Sequence, residues 1–340
     1  MKVAQYDRIL GCLYGVAIGD ALGMPTSFLP PREIEKIYGK VTDFEEPVPD
    51  HIYHAGYQKA QVTDDTEQTI LIAQTLIESK KADPHQIAKA LIKWFDRVGG
   101  VESNAVGPSS KVALIAIKAG ESFEKSGKRG DTNGAAMRIS PVGILHAAHN
   151  ENLRALLEDV YKVCMPTHGS NLAVSGASAL ANGIKAALRE ENLNAIIAAT
   201  INGAIQGESY GFPVIGPSVA KRIELAIEIS ERTSTLADAA SEIYQIIGAG
   251  VAMAESVPAA IGLFYAAKGI PSDAILAAVN MGGDCDTVAS MTGALTGAFK
   301  GIQAIPQAWI DEIEKVNKLH LDEIGDQLFS ATQWWNHEQL

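Results

Sequence analysis

The sequence predicts an all-α fold. Two observations predict it: apolar residues recur at three- and four-residue spacing in window after window, and the apolar–polar alternation of half-buried strands is nearly absent. The chain has 340 residues, 47% of them hydrophobic, enough for one large domain or two ordinary ones. No charge block, low-complexity segment or fixed-period repeat divides it.

The first element is "GCLYGVAIGDALGMP", in which Gly11, Gly15, Gly19 and Gly23 form a stripe at helical spacing. Glycine costs about 1 kcal/mol in a helix interior relative to alanine, so a stripe of it predicts close backbone approach between packed helices. Membrane dimerisation through the same spacing is disfavoured, because Asp20 interrupts the stripe. From Pro30 to Lys59 a Pro-, Tyr- and His-containing stretch reads as an irregular surface or site loop rather than a linker. His51, His54, Tyr53 and Tyr57 are expected on its exposed side.

"VTDDTEQTILIAQTLI" follows, with Ile70, Ala73, Leu76 and Ile77 on one helical face. In "DPHQIAKALIKWFDRVGG", Asp83 is the expected N-cap, Pro84 stands in the first turn, and Gly99-Gly100 is the stop. Further helical windows are "LRALLEDVYKV", "NLAVSGASALANGIKAALRE", "PSVAKRIELAIEIS", "TLADAASEIYQII" and "PSDAILAAVN". A second small-residue stripe, Gly293, Gly297 and Gly301, closes the series.

A net charge of −12 and a pI near 5.2 argue against a nucleic-acid partner, which calls for a basic patch. Cys12, Cys164 and Cys285 are odd in number and widely spaced, which fits a reducing cytoplasm. No stretch of about 20 uninterrupted apolar residues is present, so no membrane association is expected.

Chemistry concentrates in two short motifs, "TDDT" at Thr63 to Thr66 and "GGDCDT" at Gly282 to Thr287. Each feeds a helix start with two carboxylates and a threonine hydroxyl. Alone, "TDDT" reads as a cap, with Asp64 and Glu67 forming a capping box. Capping does not require four carboxylates at two sites. Four carboxylates with hydroxyls make a hard, oxygen-only ligand set that suits Mg²⁺ or Mn²⁺, with oxygens enough for two ions about 3.5–4 Å apart. Cys285, alternating with its neighbours, should turn away from the aspartates. The acid-rich helices of isoprenoid synthases are a rival, but "DDTEQ" lacks their final aspartate and no basic residues for a diphosphate lie near the second motif.

These residues resemble the ADP-ribosylglycohydrolase family, over most of the chain from Gly11 to about Trp309. The opening "GDALG", the two acidic motifs, "GPSS" at Gly107 to Ser110, "NGAAMRISPVG" from Asn133 and "THGSNLAVSGA" from Thr167 come in the family's order. The resemblance implies an all-α, single-domain ADP-ribosylglycohydrolase-like helical fold over residues 1–340, with a binuclear Mg or Mn centre. It implies Thr63, Asp64, Asp65, Asp284, Asp286 and Thr287 as metal ligands, and Gly107, Ser109, Asn133, Gly134, Ala135 and His168 on the substrate side. Asp65 is the expected acceptor of a proton from the attacking water.

The implied activity is hydrolysis of an ADP-ribosyl or related ribosyl glycosidic bond, on an ADP-ribosylated protein or a small riboside. One departure stands out. Many members continue the opening turn as Gly-x-Pro-x-Glu, with the glutamate near the metals; here Gly23-Met24-Pro25-Thr26 leads to Ser27. Either another acid such as Asp131 substitutes, or the linkage differs, or the protein is a catalytically silent ADP-ribose binder.

Overall fold

The computed structural model describes residues 2–148, 153–189 and 192–335, and the regular structure among them is helical. α1 (Lys2–Gly23) carries the first glycine stripe and runs into a 3-10 turn, Met24–Thr26. α2 (Pro31–Tyr38) corrects the expectation of an irregular stretch. Pro31 sits in its first turn, where a missing N–H leaves nothing unpaired, and Gly39, at φ 69°, ends it. Within that stretch, residues 39–59 lack helix and strand.

α3 (Asp64–Ser79) and α4 (Pro84–Arg97) follow, the latter capped as expected by Asp83, which accepts the His85 N–H at 2.9 Å. α5 (Pro108–Lys118), α6 (Phe123–Ser126) and α7 (Ser140–Leu145) come next. The longer α8 (Leu153–His168), α9 (Asn171–Leu188), α10 (Leu193–Gly207) and α11 (Val219–Arg232) lead to α12 (Leu236–Ile246), α13 (Met253–Ala266) and α14 (Pro271–Asn280). Five of these are windows that apolar spacing predicts; the end of one, at Glu190, lies outside the described residues. α10 and α13 are rich in small apolar residues on every side, so they show no amphipathic face to read. α15 (Cys285–Lys300), α16 (Gln307–Asn317) and α17 (Leu321–Ala331) complete the fold.

The two glycine stripes meet each other. A Cβ on Gly11 would lie 2.4 Å from the Gly297 carbonyl oxygen, one on Gly15 2.1 Å from that of Gly293, and one on Gly19 2.1 Å from that of Ala289. Gly23 would come 2.4 Å from the Cys285 oxygen. As α1 ascends, α15 descends, so the pair is antiparallel and in backbone contact over three turns. Any larger residue would force the axes apart. This seam puts the end of α1, with Asp20, beside the start of α15. By length and composition the segment Gln5–Thr26 is apolar enough to cross a membrane, but its apolar window is wholly buried inside the fold.

Candidate active site

At the start of α3, Thr63 is the N-cap, and its hydroxyl accepts the Asp65 N–H at 3.4 Å. The capping box expected of Asp64 and Glu67 does not form. Asp64 is already the first helical residue, and the Glu67 carboxylate instead accepts from Trp94 Nε1 at 2.6 Å and from Arg97 at 3.0 Å. The capping acid comes from α1: Asp20 Oδ2 accepts the N–H groups of Thr63 at 2.9 Å and Thr66 at 3.1 Å, and the Thr66 hydroxyl at 2.5 Å. Asp64 and Asp65 are thereby released from capping.

The start of α15 is held by main chain. Gly282 and Gly283 adopt φ 88° and 90°, a region that side chains strongly disfavour. The Gly283 carbonyl accepts the Phe28 N–H at 2.5 Å, its N–H donates to Leu29 O at 3.2 Å, and the Asp284 N–H donates to Ala249 O at 2.6 Å. Asp284 Oδ2 accepts from Asn133 Nδ2 at 2.5 Å. Asp286 Oδ1 accepts from Ser27 Oγ at 2.6 Å and from the Thr287 N–H at 2.9 Å. Cys285 is buried among the apolar side chains of the core, and burial pushes its thiol up to about 12.

The two starts touch. Thr287 Oγ donates to Asp65 Oδ2 at 3.2 Å, joining residues 222 apart in sequence. The same oxygen faces the Thr63 hydroxyl at 3.4 Å, while Asp65 Oδ1 is buried without a partner, as is Asp20 Oδ1. Burial, then the neighbouring carboxylates, hold Asp64, Asp65 and Asp284 well above the usual carboxylate range, and Asp20 at about 7. Among the described residues no lysine or arginine forms an ion pair with these four acids. The cluster's hard oxygen donors and the orphaned Asp65 oxygen fit a divalent cation, although no three acidic, imidazole or thiol groups among the described residues already close around one point.

On the substrate side, Asn133–Ala135 form a buried 3-10 turn whose Asn133 N–H donates to Val251 O at 2.9 Å. The Asn133 amide therefore serves Asp284 directly. Gly134 lies against His168, where a Cβ would come 2.8 Å from Cε1. Gly107 is exposed at the start of α5 and Ser109 is partly buried, whereas the neighbouring Ser110 is buried and turned toward Gly134.

His168 is buried, with Thr132 Oγ 3.0 Å from Nε2 and Thr167 Oγ 2.8 Å from Nδ1. Burial and then Arg138 keep it well below the usual imidazole range, so it is neutral. Thr167 in turn accepts from Arg138 Nη2 at 2.6 Å, Arg138 Nη1 donates to Gln68 Oε1 at 2.5 Å, and Gln68 Nε2 donates to Asp64 Oδ2 at 3.0 Å. A buried hydrogen-bonded chain thus runs from the loop before Asn133 to the first acidic motif.

The expectation of an exposed histidine loop is corrected. His51 and His54 are only 4% and 5% exposed. His51 Nδ1 accepts the N–H groups of His54 at 3.0 Å and Tyr53 at 3.3 Å, so Nε2 carries the proton and donates to Ser27 O at 3.0 Å. Tyr53 does remain exposed and packs on Phe28, ring centres 4.4 Å apart. Asp131 is exposed, and its carbonyl oxygen accepts the Met253 N–H at 3.0 Å. Sequence reasoning assigned no site role to Asp20, Gln68 or Arg138; Asp20 alone had a signal, as the only charge inside a glycine-striped apolar segment.

The model of the family described as ADP-ribosylglycohydrolase matches residues 1–338. The chain is 35% identical over 328 residues to Uncharacterized protein YegU of Escherichia coli, covering 96% of this chain and 98% of that one. It is 27% identical to the human ADP-ribosylhydrolase ARH3 (91% and 89% covered) and 26% identical to the ADP-ribosylarginine hydrolase Tri1 of Serratia proteamaculans (95% and 79% covered). A solved ADP-ribosylglycohydrolase-related protein complex superposes with a TM-score of 0.72 at 23% identity, over 96% of this chain and 99% of the other, which shows a common fold.

Proposed function

Because the chain belongs to the ADP-ribosylglycohydrolase family, and is thus a glycosidic-bond hydrolase, we propose that it cleaves an ADP-ribosyl or smaller ribosyl bond at a centre of two Mg or Mn ions. Thr63, Asp64 and Asp65 would hold that centre from the start of α3, and Asp284, Asp286 and Thr287 would hold it from the start of α15. One observation carries this reading: Thr287 bonds Asp65 across the two helix starts while the other Asp65 oxygen stays buried and unpaired. When bound, the cations supply Lewis acidity toward the ribose diol and a water molecule.

The chain does the rest. Asp65, a ligand that also acts as base, accepts the proton that the water loses as it attacks the anomeric carbon. Positive charge develops on the ribosyl ring as the leaving group departs, and the surrounding carboxylates favour it. Ser27 and Asn133 hold Asp286 and Asp284 from behind, so these groups need not reorganise during the reaction. The loops at Gly107 to Ser110 and Asn133 to Ala135, with His168 beneath them, are assigned to the substrate. Its donor is an ADP-ribosylated protein or a small riboside. Three buried, unpaired cysteines support a cytoplasmic location.

The test is release of ADP-ribose or ribose from ADP-ribosylated arginine, ADP-ribosylated serine and small ribosides, with and without Mg²⁺ or Mn²⁺, by the protein and by Asp64→Ala. Metal-dependent release from at least one donor, lost in the variant, is expected. Tight binding of ADP-ribose with no release from any donor would instead make the protein a silent binder and overturn the hydrolase reading.

A further inference from the structure

We infer that His54 is a nitrogen ligand of the divalent centre, taking the place near the metals that a glutamate has in many family members and that Ser27 cannot fill. The inference rests on the cation reading above.

The ring is oriented for it. His54 Nδ1 lies 3.1 Å from the Met24 carbonyl oxygen, and a carbonyl only accepts, so Nδ1 donates to it and Nε2 is the ring nitrogen turned toward Asp286. Nε2 is 3.6 Å from Asp286 Oδ2, and among the described residues no N–H or O–H group reaches it. The other Asp286 oxygen is already taken by Ser27 and the Thr287 N–H. An imidazole nitrogen and a carboxylate oxygen therefore face each other beyond hydrogen-bond reach in a buried space, with side chains each 6% exposed. Two donors bound about 2.1 Å from one ion at angles from about 90° to 180° stand about 3.0–4.2 Å apart, and 3.6 Å falls inside that range.

The placement is built rather than incidental. His51 stacks on His54, ring centres 4.9 Å apart and planes 28° apart, and it accepts the His54 N–H. His51 bonds Ser27 O, His54 bonds Met24 O, and the Ser27 hydroxyl bonds Asp286. One turn, Met24 to Ser27, thus aims both the imidazole and the carboxylate at the same point. A nitrogen donor among oxygens shifts preference from Mg²⁺ toward Mn²⁺ and later transition ions.

Pulsed EPR of the Mn²⁺-loaded protein tests this. A nitrogen coupling is expected in the wild-type protein and its absence in His54→Gln. Calorimetry is expected to show Mn²⁺ affinity about 10–100-fold weaker in that variant, with Mg²⁺ affinity changed far less. The double variant Ser27→Glu with His54→Gln is expected to regain affinity for both ions without the nitrogen coupling. Wild-type protein grown with ¹⁵N-histidine needs no substitution: the coupling must change with the isotope. A wild-type protein that binds Mn²⁺ without nitrogen coupling, or a folded His54→Gln protein with unchanged Mn²⁺ affinity, overturns the inference and leaves the cation centre standing. A wild-type protein that binds no divalent cation overturns both.

Discussion

The starts of α3 and α15 carry the same residue types and are held by opposite means. At α3 a side chain does the work: Asp20, reaching from α1, binds two N–H groups and a hydroxyl of the first turn. At α15 the backbone does it, through two left-handed glycines and main-chain bonds to Leu29 and Ala249. At α3 the capping task is taken off both aspartates; at α15 it is taken off Asp284, while Asp286 Oδ1 accepts the Thr287 N–H and leaves Oδ2 open. A helix start that caps itself would consume the oxygens that a cation needs.

The difference can be broken from the backbone side first. Gly283→Ala adds a Cβ 2.4 Å from Ala249 O at a residue with φ 90°, and about 3 kcal/mol of destabilisation is expected from overpacking plus left-handed strain. Denaturant melts measure it; a loss below about 1 kcal/mol would show that the main chain does not hold this start. Asp20→Ala attacks the other side and is expected to cost about 2 kcal/mol by removing a cap and leaving buried N–H groups unpaired. Asp20→Asn keeps an acceptor and is expected to recover most of that stability.

The acids themselves give the next effect. Asp20 rises from 3.8 to about 7 on folding, and Asp64, Asp65 and Asp284 rise as well. A raised carboxylate holds its proton more tightly folded than unfolded, so its stabilising contribution is complete below 3.8 and is lost as pH climbs through the folded value. With chelator present, melting temperature is expected to fall by a few degrees between about pH 5 and about pH 7.5, and Mn²⁺ or Mg²⁺ to oppose the fall. A chelated protein that melts higher at the upper pH would contradict the clustering of these acids. Smallest is Ser27→Ala, expected to cost about 1–1.5 kcal/mol for the lost bond to Asp286 and to weaken cation binding without unfolding the protein. An unchanged melt and an unchanged cation affinity would leave Ser27 without a positioning role.

Much of the fold was legible because its signals are local. The spacing of Ile70, Ala73, Leu76 and Ile77, the cap at Asp83 and the glycine stripes each lie within a few turns of one helix. α2 was missed although Pro31 and Gly39 bracket it and Ile34, Ile37 and Tyr38 stand at helical spacing, since eight residues make barely two turns and the pattern is too short to separate from a loop. The histidine loop was misread for a different reason. A polar aromatic stretch without helix is usually exposed, and nothing near His51 or His54 in sequence reveals that their ring nitrogens pair with carbonyls of residues 24 and 27.

By itself the sequence determined that the chain is helical, that two helix starts bear paired aspartates with threonines, and that two glycine seams call for a partner. These follow from propensities and spacings that act over a few residues. Only the tertiary structure decided that the seams are each other's partner, that Thr287 reaches Asp65, that Asp20 frees the first motif from capping, and that Ser27 binds Asp286. Those pairings span tens to hundreds of residues, and they are chosen by the packing of α1 on α15, a constraint on axes and depths that no local pattern encodes.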